Sequence, residues 1–145
     1  SWADYRLFCP YRHWLDMGKK ADNLPKIFNV NWFRLDEDGN FIWPGFGDNF
    51  RVLEWNLARC DGTVDAKETE IGYVPYAEDI SLEGMDYEIA PGHPFTKADL
   101  EGILQVEKDY WKDDAASLEE FYAKLGDKLP QELRASLEQL KKNLQ

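Results

Sequence analysis

WPGFGDN (43–49), reached from NWFR (31–34) through the polar turn DEDGN (36–40), is the stretch from which the rest of the chain is read. Gly45 and Gly47 bury nothing and carry a conformational entropy cost, so a Pro-Gly turn bracketed by Trp43 and Phe46 is an awkward core segment. A backbone shape held for a purpose is the simpler reading. Asp48 and Asn49 then stand where a helix begins, because FRVLEWNLARCDG follows with Phe50, Leu53 and Leu57 at helical spacing and Gly62 as a stop. Such a start is expected to offer unpaired backbone N–H groups.

Outward from that point, PKIFNVNWFR is rich in β-branched and aromatic residues. With NFIW (40–43) it frames the Gly-containing loop 36–40, which predicts a β-hairpin bringing Phe33 near Phe41. RHWLDMGKK predicts a short helix closed by Gly18, and Pro25 disfavours helix at Leu24. ETEIGYVP (68–75) predicts a further strand, while AEDISLEGMDYEIAPGHPF holds too many Gly and Pro to be more than a long loop. Thr96 with Asp99 and Ser117 with Glu120 have the spacing of capping boxes, and a third helix begins near Pro130. Leu133, Leu137, Leu140 and Leu144 form a stripe too short for a coiled coil, so it is expected to pack within its own domain.

The fold class that follows is α+β: a β-hairpin, a further strand, a glycine-rich loop leading into a helix, and a tail of about three helices. At 145 residues and 43% hydrophobic, the chain is expected to fold as a single unit, 1–145. Within it, 1–24 reads as a lead-in helix and linker, 25–62 as the aromatic region, 63–95 as strand and loop, and 96–145 as a helical tail.

Charge narrows the partners. The formal net charge is −11, with 8 Lys+Arg against 8 Asp+Glu in residues 1–60 and 9 against 20 in residues 61–145. Nucleic acid would be repelled by the acidic half, and no basic patch with interleaved aromatics offsets it. No run of about 18 apolar residues offers a membrane span, and no signal peptide leads the chain, so a cytoplasmic location is expected. Cys9 and Cys60 lack metal-ligand spacing and read as small buried hydrophobes.

Catalytic groups are sparse. His13 and His93 lie far apart in sequence and have no ligand partner at helical spacing, so no metal site is expected and His13 reads as structural. The pairs in MGKKA and LGDKL lack the upstream glycine and the Ser or Thr of a phosphate-binding loop. The aromatic run is left with two readings. Composition alone favours core packing. The Gly, Asp and Asn content favours a loop that presents rings, which could sandwich a planar base while Asn49 reads its edge.

LPKIFNVNWFR, DEDGNFIWPGFGDN and RVLEW closely resemble the carboxyl-terminal part of the GTP-dependent phosphoenolpyruvate carboxykinases, whose usual form reads PKIFHVNWFR, GKFLWPGFGEN and SRVLEW. The match is strongest from Pro25 to Trp55, extends weakly over HWLDMGKK and IGYVP, and nearly the whole chain is covered. The resemblance implies an enzyme of gluconeogenesis that converts oxaloacetate and GTP to phosphoenolpyruvate, carbon dioxide and GDP. It implies that Phe33 and Phe46 stack on the two faces of guanine, that Phe41 closes the side of the pocket, and that Asn49 hydrogen-bonds the base. Asn29 stands for the usual His, Asp48 for the usual Glu, and Phe50 for the usual Ser beside Asn49.

The family's phosphate-binding loop, reactive cysteine, manganese or magnesium ligands, oxaloacetate-binding arginines and mobile lid have no counterpart in this sequence. FCPYRHW also shortens the family's FCGYN to HW passage. This chain is therefore expected to bind the guanine part of GTP or GDP and to be inactive alone. Its other partner would be the remainder of the parent enzyme, and exposed apolar surface would favour self-association. The alternatives are a non-catalytic purine-nucleotide module, and a structural or interaction domain with Phe33 and Phe46 buried.

Overall fold

The computed structural model describes residues 12–145, which places Cys9 and most of FCPYRHW outside the described residues. Contacts gather into two compact units. One is residues 27–106, and the other joins 107–145 with 12–26. The mixture of helices with short antiparallel strands is the α+β class expected.

The 27–106 unit contains two α-helices. After a helical stretch at 12–18 (α1) in the other unit, the first helix of this unit is α2, Asn49–Asp61, and it ends where Gly62 takes φ 72° and donates its N–H to Ala58 O. That left-handed cap is the stop the sequence announced. The inner face of α2 is not the expected one. Trp55 is buried and meets Phe28 edge-on at 6.1 Å, whereas Phe50, Leu53 and Leu57 are exposed. At about 100° per residue, Leu53 and Leu57 stand about 160° from Trp55, and Phe50 and Cys60 about 140°. Choosing Trp55 for the core therefore turns all four outward, and Cys60 is exposed, not a buried hydrophobe.

Strands are shorter and differently placed than the composition predicts. NWFR is not a strand, because Asn31 Oδ1 accepts the Phe33 N–H at 3.0 Å and bends the chain at 32–33. A side chain that takes a backbone donor in this way competes with a sheet ladder. The expected hairpin is reduced to a single bridge, Leu35 to Phe41, around the loop 36–40. Asp36 closes that loop by accepting from Asn40 Nδ2, the Asn40 N–H and the Asp38 N–H, and the Asn40 side chain above all holds its carboxyl below the usual range.

The single strand expected at 68–75 is a hairpin of β1 (Lys67–Thr69) and β2 (Gly72–Val74), with Gly72 at φ 122°. The long loop after it contains a 3-10 turn at Ala77–Asp79 and a second hairpin, β3 (Glu88–Ala90) with β4 (His93–Pro94). Strands of two or three residues carry too little alternation to be read from composition. Ile80, Ile89 and Phe95 from this region join Trp43, Trp55, Ala77 and Leu100 in one core.

Helix α3, Lys97–Leu104, starts with the expected capping box: Thr96 Oγ1 accepts the Asp99 N–H at 3.4 Å, and Asp99 Oδ2 accepts the Thr96 N–H at 2.8 Å. The second proposed box is absent. Ser117 and Glu120 lie inside α4, Lys108–Leu125, which runs unbroken through them. Their spacing alone cannot distinguish a helix start from a helix interior.

In the second unit, α4 packs on α5, Gln131–Asn143, through Ala115, Leu137 and Leu144, flanked by Trp111, Leu118, Tyr122 and Leu140. The leucine stripe thus packs within its own unit, and α3, α4 and α5 are the three tail helices expected. Lys141 ties the pair through Glu119 at 2.9 Å, and Lys19, just past α1, reaches Glu132 at 2.8 Å.

Two outcomes test this packing. Trp55→Ala should lower unfolding free energy by about 3–5 kcal/mol, while Leu57→Gln on the outer face should stay within about 0.5 kcal/mol, both read by urea denaturation. Asp99 is held below the usual carboxylate range by the Thr96 hydroxyl first, with further bonds from the Thr96 N–H and His93. A depressed folded-state value means that the stability it contributes is present above the unfolded carboxylate's range and is lost as pH falls through the folded value. Amide exchange at the start of α3 should therefore accelerate on acidification, and Asp99→Asn should remove that dependence.

Candidate functional site

Gly45 is the turning point of the aromatic run. Its φ is 90°, and its carbonyl accepts the N–H groups of Asp48 at 3.0 Å and Asn49 at 2.9 Å. Those two bonds close a tight turn with Phe46 at its corner, and the Phe46 ring is 99% exposed. They also occupy two of the N–H groups expected to be unpaired at the helix start. A third, Arg51 N–H, is taken by Asp48 O at 3.1 Å.

The run is divided between core and surface. Trp43 is 5% exposed and sits edge-on to Phe95 with centroids 5.7 Å apart. Phe33 and Phe41 are 73% and 51% exposed, and they meet each other edge-on at 6.3 Å. Fully burying a phenyl side chain is worth about 1.5–3 kcal/mol, so Phe46 forgoes nearly all of that and Phe33 and Phe41 a part in proportion to their exposure. The expectation that joined Phe33 to Phe41 holds, and core packing describes Trp43 but not the three phenylalanines.

Asn49 is half-buried at the first position of α2, and its Oδ1 accepts the Trp43 indole N–H at 2.9 Å. Among the described residues its Nδ2 has no partner. An indole N–H only donates, so chemistry fixes which end of the carboxamide faces Trp43. The amide donor is the end left for a ligand.

Supports surround this group that the sequence reading missed. Tyr87 donates its hydroxyl to Phe41 O at 2.5 Å. Arg34 Nη1 donates to Ile103 O at 3.1 Å, anchoring the residue after Phe33 on the last turn of α3. Asp48 makes no side-chain cap. Its carboxylate instead receives Arg51 Nε at 2.7 Å, while Arg51 Nη1 donates to Ser81 O at 2.8 Å and Glu83 O at 2.9 Å. One guanidinium thus joins the turn to a loop about 30 residues onward. Only the Asp48 to Arg51 spacing hints at it in sequence, because the other two acceptors are backbone carbonyls.

His93 Nε2 lies 3.3 Å from Asp99 Oδ1, and His13 is exposed on α1, so it is not a packed structural histidine. Phe50, beside Asn49 in the chain, is 65% exposed.

The family described as phosphoenolpyruvate carboxykinase C-terminal P-loop domain matches residues 3–143. The chain belongs to that family. Its relatives include the phosphoenolpyruvate carboxykinase [GTP] of Arthrobacter sp. (strain FB24), 46% identical over 92% of this chain and 21% of the relative. The enzyme of the same name from Treponema pallidum (strain Nichols) is 44% identical over 95% of the chain and 21% of its own length. That from Thermoplasma volcanium is 39% identical over 96% of the chain and 23% of its own length. The chain therefore spans about a fifth of the carboxykinases it matches.

Among the described residues, no group of three or more His, Cys, Asp and Glu side chains is arranged to hold a metal ion. No helix among them is long and apolar enough to cross a membrane. Phe33 and Phe41 meet each other, whereas Phe46 has no ring contact with either among the described residues; the exposed ring faces and the Asn49 amide donor are the chemistry that meets the face and the edge of a planar heterocycle.

Arg51→Ala removes all three of its bonds and leaves Asp48 without that partner, so stability should fall by about 2–3 kcal/mol. Arg51→Lys should recover less than half of the loss, because a lysine ammonium does not reproduce the guanidinium fork. Denaturation curves give the loss, and amide exchange at 81–84 shows whether that loop is released.

Proposed function

We propose that this segment supplies the guanine-binding wall of a GTP-dependent phosphoenolpyruvate carboxykinase, a cytoplasmic enzyme of gluconeogenesis. The observation that carries the reading is the exposure of Phe33, Phe41 and Phe46 on a unit whose core takes Trp43, Trp55 and Phe95. In this reading Phe33 and Phe46 cover the faces of guanine, Phe41 closes the side, and the Asn49 amide hydrogen-bonds the edge. Stacking of a base on an aromatic side chain is worth about 1–3 kcal/mol, enough to recover what an exposed phenyl forgoes.

The parent enzyme decarboxylates oxaloacetate and transfers the γ-phosphoryl group of GTP to the resulting enolate, with manganese or magnesium held by residues outside this chain. Phosphoryl transfer is governed by positioning and by electrostatic stabilisation at the phosphates. This segment acts at the other end of the nucleotide, where it binds and orients the base. Alone it is a purine-nucleotide binder without catalysis. An interaction domain with Phe33 and Phe46 buried is disfavoured by their exposure of 73% and 99%.

Saturating GDP should raise the melting temperature of the 145-residue chain and change its tryptophan emission, since Trp32 and Trp43 flank the slot. Phe46→Ala should weaken GDP binding by about fivefold to a hundredfold, the range of one lost stack. A carboxykinase assay on the chain alone should read zero. Unchanged emission and melting at saturating GDP would sink the guanine reading, and turnover of oxaloacetate would sink the assignment of catalysis to the rest of the enzyme.

A further inference from the structure

We infer that Trp43 is a positioning residue for base selection: its buried indole N–H locks the Asn49 carboxamide with oxygen inward, so the site presents an amide donor to the nucleotide. The inference rests on the guanine-wall reading and adds to it a residue that touches no ligand.

Three observations carry it. Trp43 cannot swing away easily, because it is 5% exposed and its ring lies at 90° to Phe95, itself 9% exposed and tied by its N–H to Tyr87 O at 2.8 Å. The indole has a donor and no acceptor, so it can pair only with Oδ1, and the 2.9 Å contact to that atom is the one matched arrangement. Turning the carboxamide over would set two donors against each other and strand a buried N–H, which disfavours the flipped form by about tenfold or more. The remaining amide atom, Nδ2, has no partner among the described residues.

A carboxamide normally recognises either a donor or an acceptor by flipping. Here that freedom is removed, which turns an indifferent group into a selective one. Guanine carries the acceptor O6 beside N7, where adenine carries the donor N6 amine. A fixed amide donor matches the first and opposes the second. Trp43 thereby contributes to discrimination between the two purines from within the core.

The experiment measures dissociation constants of GDP and ADP by calorimetry for the 145-residue chain, Trp43→Phe, Asn49→Ala and the double variant. Phenylalanine keeps a ring against Phe95 and removes only the donor. The expected result is a preference for GDP in the parent chain that shrinks by about fivefold or more in Trp43→Phe. In the Asn49→Ala background the same change should leave the GDP to ADP ratio unaltered. An equal weakening of both nucleotides by Trp43→Phe, with the ratio kept, overturns the inference while leaving the guanine wall standing. Failure of the parent chain to bind GDP overturns both.

Should Trp43→Phe not fold, nitrogen-15 spectra of the parent chain decide. The Trp43 indole proton should exchange slowly with and without nucleotide, and the Asn49 Nδ2 protons should shift with GDP more than with ADP. A rapidly exchanging indole proton, or equal shifts with both nucleotides, overturns the inference.

Discussion

The burial of Trp43 against Phe95 is the contact on which the 27–106 unit turns. Phe95 immediately precedes the Thr96 cap of α3, and Trp43 immediately precedes the Pro44–Gly45 reversal, so one edge-on ring pair joins the start of a helix to the base of the aromatic turn. Everything distal to Trp43 takes its place from that anchor. The carbonyl of Gly45 starts α2 through two bonds, α2 carries Trp55 into the same core, and Arg51 on its first turn secures the 81–83 backbone.

That arrangement reconciles two demands on aromatic side chains. Core rings stabilise by leaving water, whereas rings that receive a ligand must stay available to it and be fixed by their backbone. Phe33 is fixed by the Asn31 turn, Phe41 by the Tyr87 hydroxyl on its carbonyl, and Phe46 by the Gly45 turn. None of these devices depends on burying the ring itself. In the proposed guanine reading, a base would meet a backbone already ordered by these hydrogen bonds and would have only the ring rotamers left to fix.

Much of this was legible in the sequence, and the limits have physical causes. The extent of α2, its Gly62 stop, the Asp36 loop, the Thr96 and Asp99 box and the α5 stripe were readable because each rests on local chemistry within about one or two helical turns. The family was readable because WPGFGDN and its flanks form a long specific match. The inner face of α2 was not readable. Phe50, Leu53 and Leu57 have the right period, but so does any apolar stripe, and the choice of Trp55 is made by Phe28 and the core beyond the helix. The exposure of Cys60 was missed for the same reason, while the two hairpins were missed because strands of two or three residues show too little alternation, and Ser117 and Glu120 because a capping-box spacing also fits a helix interior.

Position 45 imposes a constraint of an unusual kind. A Cβ there would meet nothing within 4 Å, yet the φ of 90° lies where side chains of natural chirality are strained. The site therefore excludes alanine by handedness and not by volume, and a mirror-image residue would sit in the turn without moving a neighbour. The geometry that places Phe46 in solvent is in this sense a stereochemical choice, made at a residue with no side chain of its own.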